Sequence, residues 1–243
     1  MFFKKKEAPL HDFSVLGTDL HSHLLPGIDD GSQDMETSVR LVKGMGQLGF
    51  KKLITTPHIM WDMYKNTNNI IFEKLDELRA RLKTEEIDVE IDAAAEYFID
   101  DYVENLLKQK EPLLSFGNKF VLVEFSMASA PFDLKDVLFE MQLQGYQPVI
   151  AHPERYIYLE KSKNFYAELR DIGCLFQLNA LSLSGYYGHS VMELASYLCK
   201  KQYYDLVGSD LHHSRHLNAL QNPTVLPSLK KLLDTNRIQN QSL

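Results

Sequence analysis

Nine histidines and carboxylates recur at places where a buried chain would not tolerate them without partners. The run Asp19-Leu20-His21-Ser22-His23 carries an H-x-H pair, and on a strand residues i and i+2 point to one side. His21 and His23 can therefore hold one metal ion. A turn-rich loop follows, Pro26-Gly27-Ile28-Asp29-Asp30-Gly31-Ser32, with two carboxylates. Further along stand His58 after Thr56-Pro57, Glu96 after Ala94-Ala95, Glu124 after Val123, His152 before Pro153-Glu154-Arg155, and Asp210 and His212 after Ser209. Charged and imidazole side chains among apolar neighbours need pairing or a metal. Mixed imidazole and carboxylate donors suit Mn²⁺, Fe²⁺ or Zn²⁺, and the lack of Cys donors argues against a structural zinc site. Nine ligands exceed what one ion takes and suffice for two or three. Paired metal ions activate a water and stabilise in-line displacement at phosphorus.

Short apolar runs precede nearly all of these residues. They cover 14–19, 52–56, 89–95, 120–125, 147–151, 175–179 and 204–208, and read as buried parallel strands. Helical patterns lie between them: 35–48 with Gly49 as its stop, 69–83, 100–108, 133–144, 165–171 and 190–200. Seven strand–helix units in one uninterrupted chain predict an α/β fold, a distorted (β/α)7 barrel. Active sites of such barrels lie at the C-terminal ends of the strands, where six of the seven runs place a His, Asp or Glu.

The chain has 243 residues, 44% hydrophobic and 24% charged, with net charge −7. It reads as a single domain over 1–243, with an N-terminal arm at 1–13 and a polar, frayed tail at 236–243 that could dock on a neighbour in an oligomer. An acidic chain lacks the basic footprint of a nucleic-acid binder. The basic cluster at 4–6 is followed by Glu7, His11 and Asp12 rather than an apolar segment, so no signal peptide is predicted. No apolar stretch is long enough to insert stably in a membrane. Two cysteines and no disulfide framework fit a reducing compartment, and the expected location is the cytoplasm. The literal G-x-G-x-x-G at 44–49 closes a helix instead of opening one, so it is not a dinucleotide fingerprint.

Together, the D-L-H-S-H run, the P-G-I-D-D-G-S loop, T-P-H at 56–58, A-E at 95–96, V-E at 123–124, H-P-E-R-Y at 152–156 and S-D-L-H at 209–212 resemble the polymerase-and-histidinol-phosphatase (PHP) superfamily. More narrowly, they are similar to bacterial manganese-dependent protein-tyrosine phosphatases of capsule and exopolysaccharide operons. The similarity spans roughly 18–217. It implies a trinuclear site held by His21, His23, Asp30, His58, Glu96, Glu124, His152, Asp210 and His212, with Glu96 bridging. It implies that Arg155 grips phosphate. Arg215 is the one candidate for a second family arginine, although the loop carrying it looks short, and Asp29 is expected to support the ligands. The implied activity is phosphotyrosine hydrolysis on a tyrosine autokinase that controls polysaccharide export. Aromatic residues near the strand ends (Trp61, Tyr64, Tyr97, Tyr156, Tyr186 and Tyr187) could line a phenyl pocket. Rival readings are a phosphoesterase of a small metabolite such as histidinol phosphate, an amidohydrolase lacking its usual bridging lysine, and a non-catalytic metal-binding scaffold.

Overall fold

A computed structural model describes residues 9–243, and the basic cluster at 4–6 lies outside them. The strands are β1 (Thr18–Asp19), β2 (Lys52–Thr55), β3 (His58–Ile59), β4 (Glu90–Ala93), β5 (Glu96–Phe98), β6 (Phe120–Glu124), β7 (Gln147–Ala151), β8 (Leu175–Asn179) and β9 (Leu206–Gly208). The helices are α1 (Met35–Gln47), α2 (Asn68–Thr84), α3 (Asp101–Gln109), α4 (Leu134–Leu143), α5 (Asn164–Asp171), α6 (His189–Lys200), α7 (Ser214–Leu220) and α8 (Val225–Leu233). The last two lie beyond the helices marked by sequence periodicity. In α8, Pro227 stands in the first turn, where its missing N–H costs no hydrogen bond.

All strand pairs are parallel. The ladders run β1-β2-β4 and β3-β5-β6-β7-β8-β9. Seven of the nine strands fall within the predicted runs, and β3 and β5 are short additions just past the second and third of them. The second run stops at Thr56-Pro57 before β3, and the third stops at Ala94-Ala95 before β5. Pro57 has no N–H to donate to a ladder. Its carbonyl still accepts from Glu96 N at 3.2 Å, and β3 resumes beside β5 with His58 opposite Glu96. The break thus brings two chemical residues side by side.

The result is a curled parallel sheet, a distorted barrel with helices outside. Its seam between first and last strands is not a full ladder. Ser22 and Leu211 form a single parallel bridge, with His23 N donating to Leu211 O at 2.9 Å and Asp210 N to His21 O at 2.8 Å. Below that, the Asp19 carboxylate accepts from Ser209 N and Oγ at 2.7 and 2.9 Å. Lower still, Asn240 Nδ2 donates to Thr18 O and Val207 O at 2.9 and 2.7 Å, and its Oδ1 accepts from Val207 N at 2.9 Å. This corrects the expectation of a frayed tail at 236–243. The amide of Asn240 supplies the hydrogen bonds that the seam lacks, so the tail docks on its own barrel. The arm is shorter than expected too, because Phe13 is buried and stacks on Phe50 at 5.3 Å between centroids.

A large apolar core lies between the helices and the sheet. A smaller one fills the lower barrel interior, with Leu20, Ile54, Leu122, Val149, Ala151 and Leu206 all buried. The glycines of the 44–49 motif serve packing. A Cβ on Gly44 would meet Leu217 Cδ2 at 2.3 Å, and one on Gly46 would meet Val89 Cγ2 at 2.7 Å. No helix among the described residues is long and apolar enough to cross a membrane.

Candidate metal centre

The nine predicted ligands converge at the C-terminal ends of the strands. They form four groups whose ligand atoms lie within 4.8 Å of one another: His23, Asp30, His58 and His212; His21, His23 and Glu96; His21, His152 and Asp210; His58, Glu96 and Glu124. Glu96 belongs to two groups, and its two oxygens face different histidines. Oε2 lies 3.1 Å from His21 Nε2, 3.4 Å from His23 Nε2 and 3.3 Å from His58 Nδ1, while Oε1 lies 3.1 Å from His152 Nε2. Asp210 Oδ1 is 3.4 Å from His21 Nε2, 3.5 Å from His23 Nε2 and 3.3 Å from His212 Nδ1. Asp30 Oδ1 is 3.4 Å from His58 Nε2 and 3.5 Å from His212 Nε2. Glu124 Oε1 lies 3.1 Å from His58 Nδ1.

These spacings fit divalent cations. Donors bound about 2.0–2.2 Å from a shared ion stand about 2.8–3.6 Å apart in octahedral or tetrahedral geometry. Several of the contacts, at 3.3–3.5 Å, are long for hydrogen bonds. The Nε2 atoms of His21 and His23 also face each other at 3.4 Å and share the same two carboxylates. The buried Nδ1 of His58 makes no hydrogen bond despite its carboxylate neighbours, since the geometry is off-line. The residues present therefore suit metal binding better than mutual hydrogen bonding.

The supporting contacts orient the rings. His23 Nδ1 bonds Asp29 Oδ2 at 2.8 Å, and Asp29 also accepts from Gly31 N at 3.0 Å and His58 N at 3.2 Å. Asp29 is thus occupied in holding His23, leaving Nε2 to face the cluster. His21 Nδ1 bonds Gln177 Oε1 at 2.8 Å, and the same oxygen accepts from His152 N at 3.3 Å. Such outer contacts set tautomer and ring orientation in metal sites. Gly208 makes room for this arrangement, because a Cβ there would meet His21 Cβ at 2.5 Å and Gln177 Nε2 at 2.8 Å. Gly31 does the same beneath His23, where a Cβ would lie 2.3 Å from His23 Cβ. His152 and Asp210 adopt left-handed backbone, φ 32° and 52°, a costly conformation for non-glycine residues.

The electrostatics follow from burial opposed by charge. Burial alone would push His21 down, but the Glu96 and Asp210 carboxylates outweigh it and raise it to about 9. Burial likewise opposes charging of His23, and Asp29 foremost raises it well above the ordinary value. Burial would raise Glu96 and Asp210, yet the His21 charge holds both well below the usual carboxylate range. Asp30, the most accessible of the set, is lowered to about 2, chiefly by the His212 imidazole beside it. Protons and divalent cations would compete for the same nitrogens.

Seven of the nine residues, all but His21 and His23, line the floor of a cavity of about 370 Å³. Arg155 stands on one wall, its Nη1 2.8 Å from Asp210 Oδ2. Met60, Met63, Tyr64, Phe98, Phe125 and Met127 make the other lining apolar. Of the aromatic residues read from the sequence, only Tyr64 lines this cavity. Tyr97 and Tyr156 are core residues whose hydroxyls accept from Leu114 N and Phe125 N at 2.8 and 3.3 Å. Trp61 stacks on Tyr102 instead, at 3.9 Å. The structure does not bring Arg215 to the cavity. It is exposed in the first turn of α7, past the short loop that follows His212. Glu154 also turns away, buried against Asn179 N and Tyr204 OH, both at 2.9 Å.

Sequence reasoning missed Gln177 and Asn179, and the signal was there: two amides inside an otherwise apolar strand. The methionines and Phe98 of the rim carried no such signal, since apolar residues near strand ends are ordinary.

The capsular polysaccharide synthesis family CpsB/CapC matches residues 17–233. The tyrosine-protein phosphatase YwqE of Bacillus subtilis (strain 168) is 30% identical over 200 residues, 82% of this chain and 79% of YwqE. Tyrosine-protein phosphatase CpsB of Streptococcus pneumoniae is 30% identical over 201 residues, 80% of this chain and 82% of CpsB. A solved structure from work on YwqE and CpsB, described as metal-dependent tyrosine phosphatases, superposes with TM-score 0.77 at 28% identity, covering 91% of this chain and 96% of the other. Histidinol phosphate phosphatase of Lactococcus lactis shares the fold alone, with TM-score 0.59 at 12% identity over 91% of this chain and 94% of the other. With a match across nearly its whole length, this chain belongs to the CpsB/CapC family of capsular polysaccharide synthesis.

Proposed function

We propose that this chain is a metal-dependent protein-tyrosine phosphatase acting on a phosphotyrosine protein of capsule or exopolysaccharide synthesis, a tyrosine autokinase in the cytoplasm. The observation that carries the reading is a single cavity with a floor of imidazole–carboxylate groups sharing Glu96, an arginine on one wall and an apolar rim. The family of metal-dependent relatives supports it.

In this reading His21, His23, Asp30, His58, Glu96, Glu124, His152, Asp210 and His212 would hold the ions, Glu96 belonging to two of the donor groups. Their hard and borderline donors suit Mn²⁺, with iron or zinc as substitutes. Bound cations supply a water of lowered pKa and Lewis acidity toward phosphoryl oxygens. The chain's own groups do the rest. Arg155 spends one N–H on Asp210 and keeps others for the nonbridging oxygens, which a planar guanidinium matches. The rim of Met60, Tyr64 and Phe98 takes the phenyl ring and excludes water around it. A phenolate leaves with pKa near about 10, so it needs less proton donation than an alkoxide. No side chain has to serve as a strong general acid.

The test is hydrolysis of phosphotyrosine and phosphoserine peptides and of histidinol phosphate by metal-stripped protein with Mn²⁺ added back, beside His21→Ala. Phosphotyrosine turnover that returns with Mn²⁺ and vanishes in the variant is expected. Preference for histidinol phosphate, or no turnover despite metal binding, overturns the reading.

A further inference from the structure

Arg155 ends the short 3-10 turn Pro153–Arg155 and lines one wall of the cavity. Two groups hold its guanidinium. Asp210 Oδ2 accepts from Nη1 at 2.8 Å, and the ring of Tyr187 lies 4.9 Å from Cζ. Tyr187 comes from the loop between β8 and α6, flanked by Gly185 and Gly188 with φ of 80° and 95°. Its hydroxyl accepts from Asn179 Nδ2 at 3.1 Å. The same nitrogen donates its other hydrogen to Asp210 Oδ2, also at 3.1 Å. Asp210, Asn179, Tyr187 and Arg155 therefore close a ring of four contacts across four segments of the chain.

We propose that Tyr187 is a positioning residue for phosphate binding, its ring face fixing the Arg155 guanidinium so that the remaining N–H donors present to the cavity. The inference rests on the reading of Arg155 as the phosphate arginine. An arginine side chain is long and rotamer-rich, and bidentate recognition of an oxyanion requires the planar fork to be held in one orientation. Asp210 constrains one end of that fork. A single hydrogen bond leaves the plane free to rotate about it, and the ring of Tyr187 removes that freedom by cation–π contact. Asn179 keeps the ring in register with the carboxylate. The hydroxyl serves only this anchoring, so phenylalanine retains the ring contact and leucine loses it.

The experiment measures binding of inorganic phosphate to the Mn²⁺-loaded full chain by calorimetry, with KM and kcat for a phosphotyrosine peptide in parallel. The proteins are wild type, Tyr187→Leu, Tyr187→Phe, Arg155→Ala and the Arg155→Ala/Tyr187→Leu double variant. Metal content and thermal unfolding are recorded for each. Tyr187→Leu is expected to weaken phosphate binding and raise KM about tenfold at unchanged metal content, the scale of a partly desolvated cation–π contact. Tyr187→Phe is expected to restore both to within about twofold, by the same reckoning. In the Arg155→Ala background, the leucine substitution should add nothing. An unchanged phosphate affinity in Tyr187→Leu overturns the inference, as does an equal loss with and without Arg155. Wild-type protein that binds phosphate through Tyr187 and Arg155 but turns over no phosphotyrosine overturns the proposed function and leaves the positioning role standing.

Discussion

Leu122, Leu175 and Leu206 face the lower interior of the barrel, and two residues further along the same strands stand Glu124, Gln177 and Gly208. Side chains at i and i+2 share a side, so one set of strands builds both halves. The lower half is apolar and filled, with Leu122 and Leu206 fully buried. The upper half gathers four carboxylates and five imidazoles, several equally buried. Burying hydrocarbon is favourable wherever it occurs, whereas a buried charge is tolerable only with partners. The lower half therefore needs only shape. The upper half needs direction, and its backbone shows this: His152 and Asp210 are left-handed, and Gly208 and Gly31 leave room for the Cβ atoms of His21 and His23. The two halves divide stability from chemistry along a single strand.

Substitutions can break that division. Glu96→Gln has the largest expected effect. It removes the carboxylate common to two ligand groups, so phosphotyrosine turnover should fall about a thousandfold, with lower bound metal by elemental analysis. Turnover near the wild-type level would refute a shared role for Glu96. Arg155→Lys keeps the charge and loses the planar fork, and kcat/KM should drop about 10- to 100-fold at unchanged metal content.

In the lower half the readout reverses. Leu122→Ala should cost about 2–5 kcal/mol in denaturant unfolding, while turnover per folded molecule stays as in wild type. A large loss of activity without loss of stability would show that the halves are not separable.

The division also has a pH signature in metal-stripped protein. The folded pKa of His21 is raised to about 9, above its unfolded value near 6.5. Its contribution is fully present below pH 6.5 and is lost as pH rises through about 9. His23 is raised as well and acts with the same sign. Melting temperature should therefore fall between pH 7 and 9, and saturating Mn²⁺ should flatten the fall because ligand imidazoles are already deprotonated. A flat profile without metal would contradict the charge pairing described above. The smallest effect concerns the seam. Asn240→Ala leaves Thr18 O, Val207 O and Val207 N without their partner, which should cost about 1–3 kcal/mol and leave metal content intact.

The cluster of imidazoles and carboxylates was legible because such side chains are costly in an apolar setting and their positions repeat at the ends of strand-like runs. Periodicity also marked six helices, since an amphipathic face repeats every few residues. Arg215 illustrates the limit: it is the one arginine near His212, on a loop already short for the role, and the start of α7 leaves it facing solvent. Tail residue Asn240 illustrates another. A polar residue near a chain end looks solvated until a seam of unpaired backbone groups is found to receive it.

Residue chemistry and alternation were enough to specify a parallel α/β barrel and a set of nine donors, because strand period and the cost of buried charge are local properties. Which oxygen of Glu96 meets which histidine, that Asp29 serves His23, and that Tyr187 braces Arg155 depend on contacts between residues distant in the chain. Those are decided by how the strands curl and where the backbone turns left-handed. Such geometry comes from the packing of the whole barrel, and no stretch of sequence contains it.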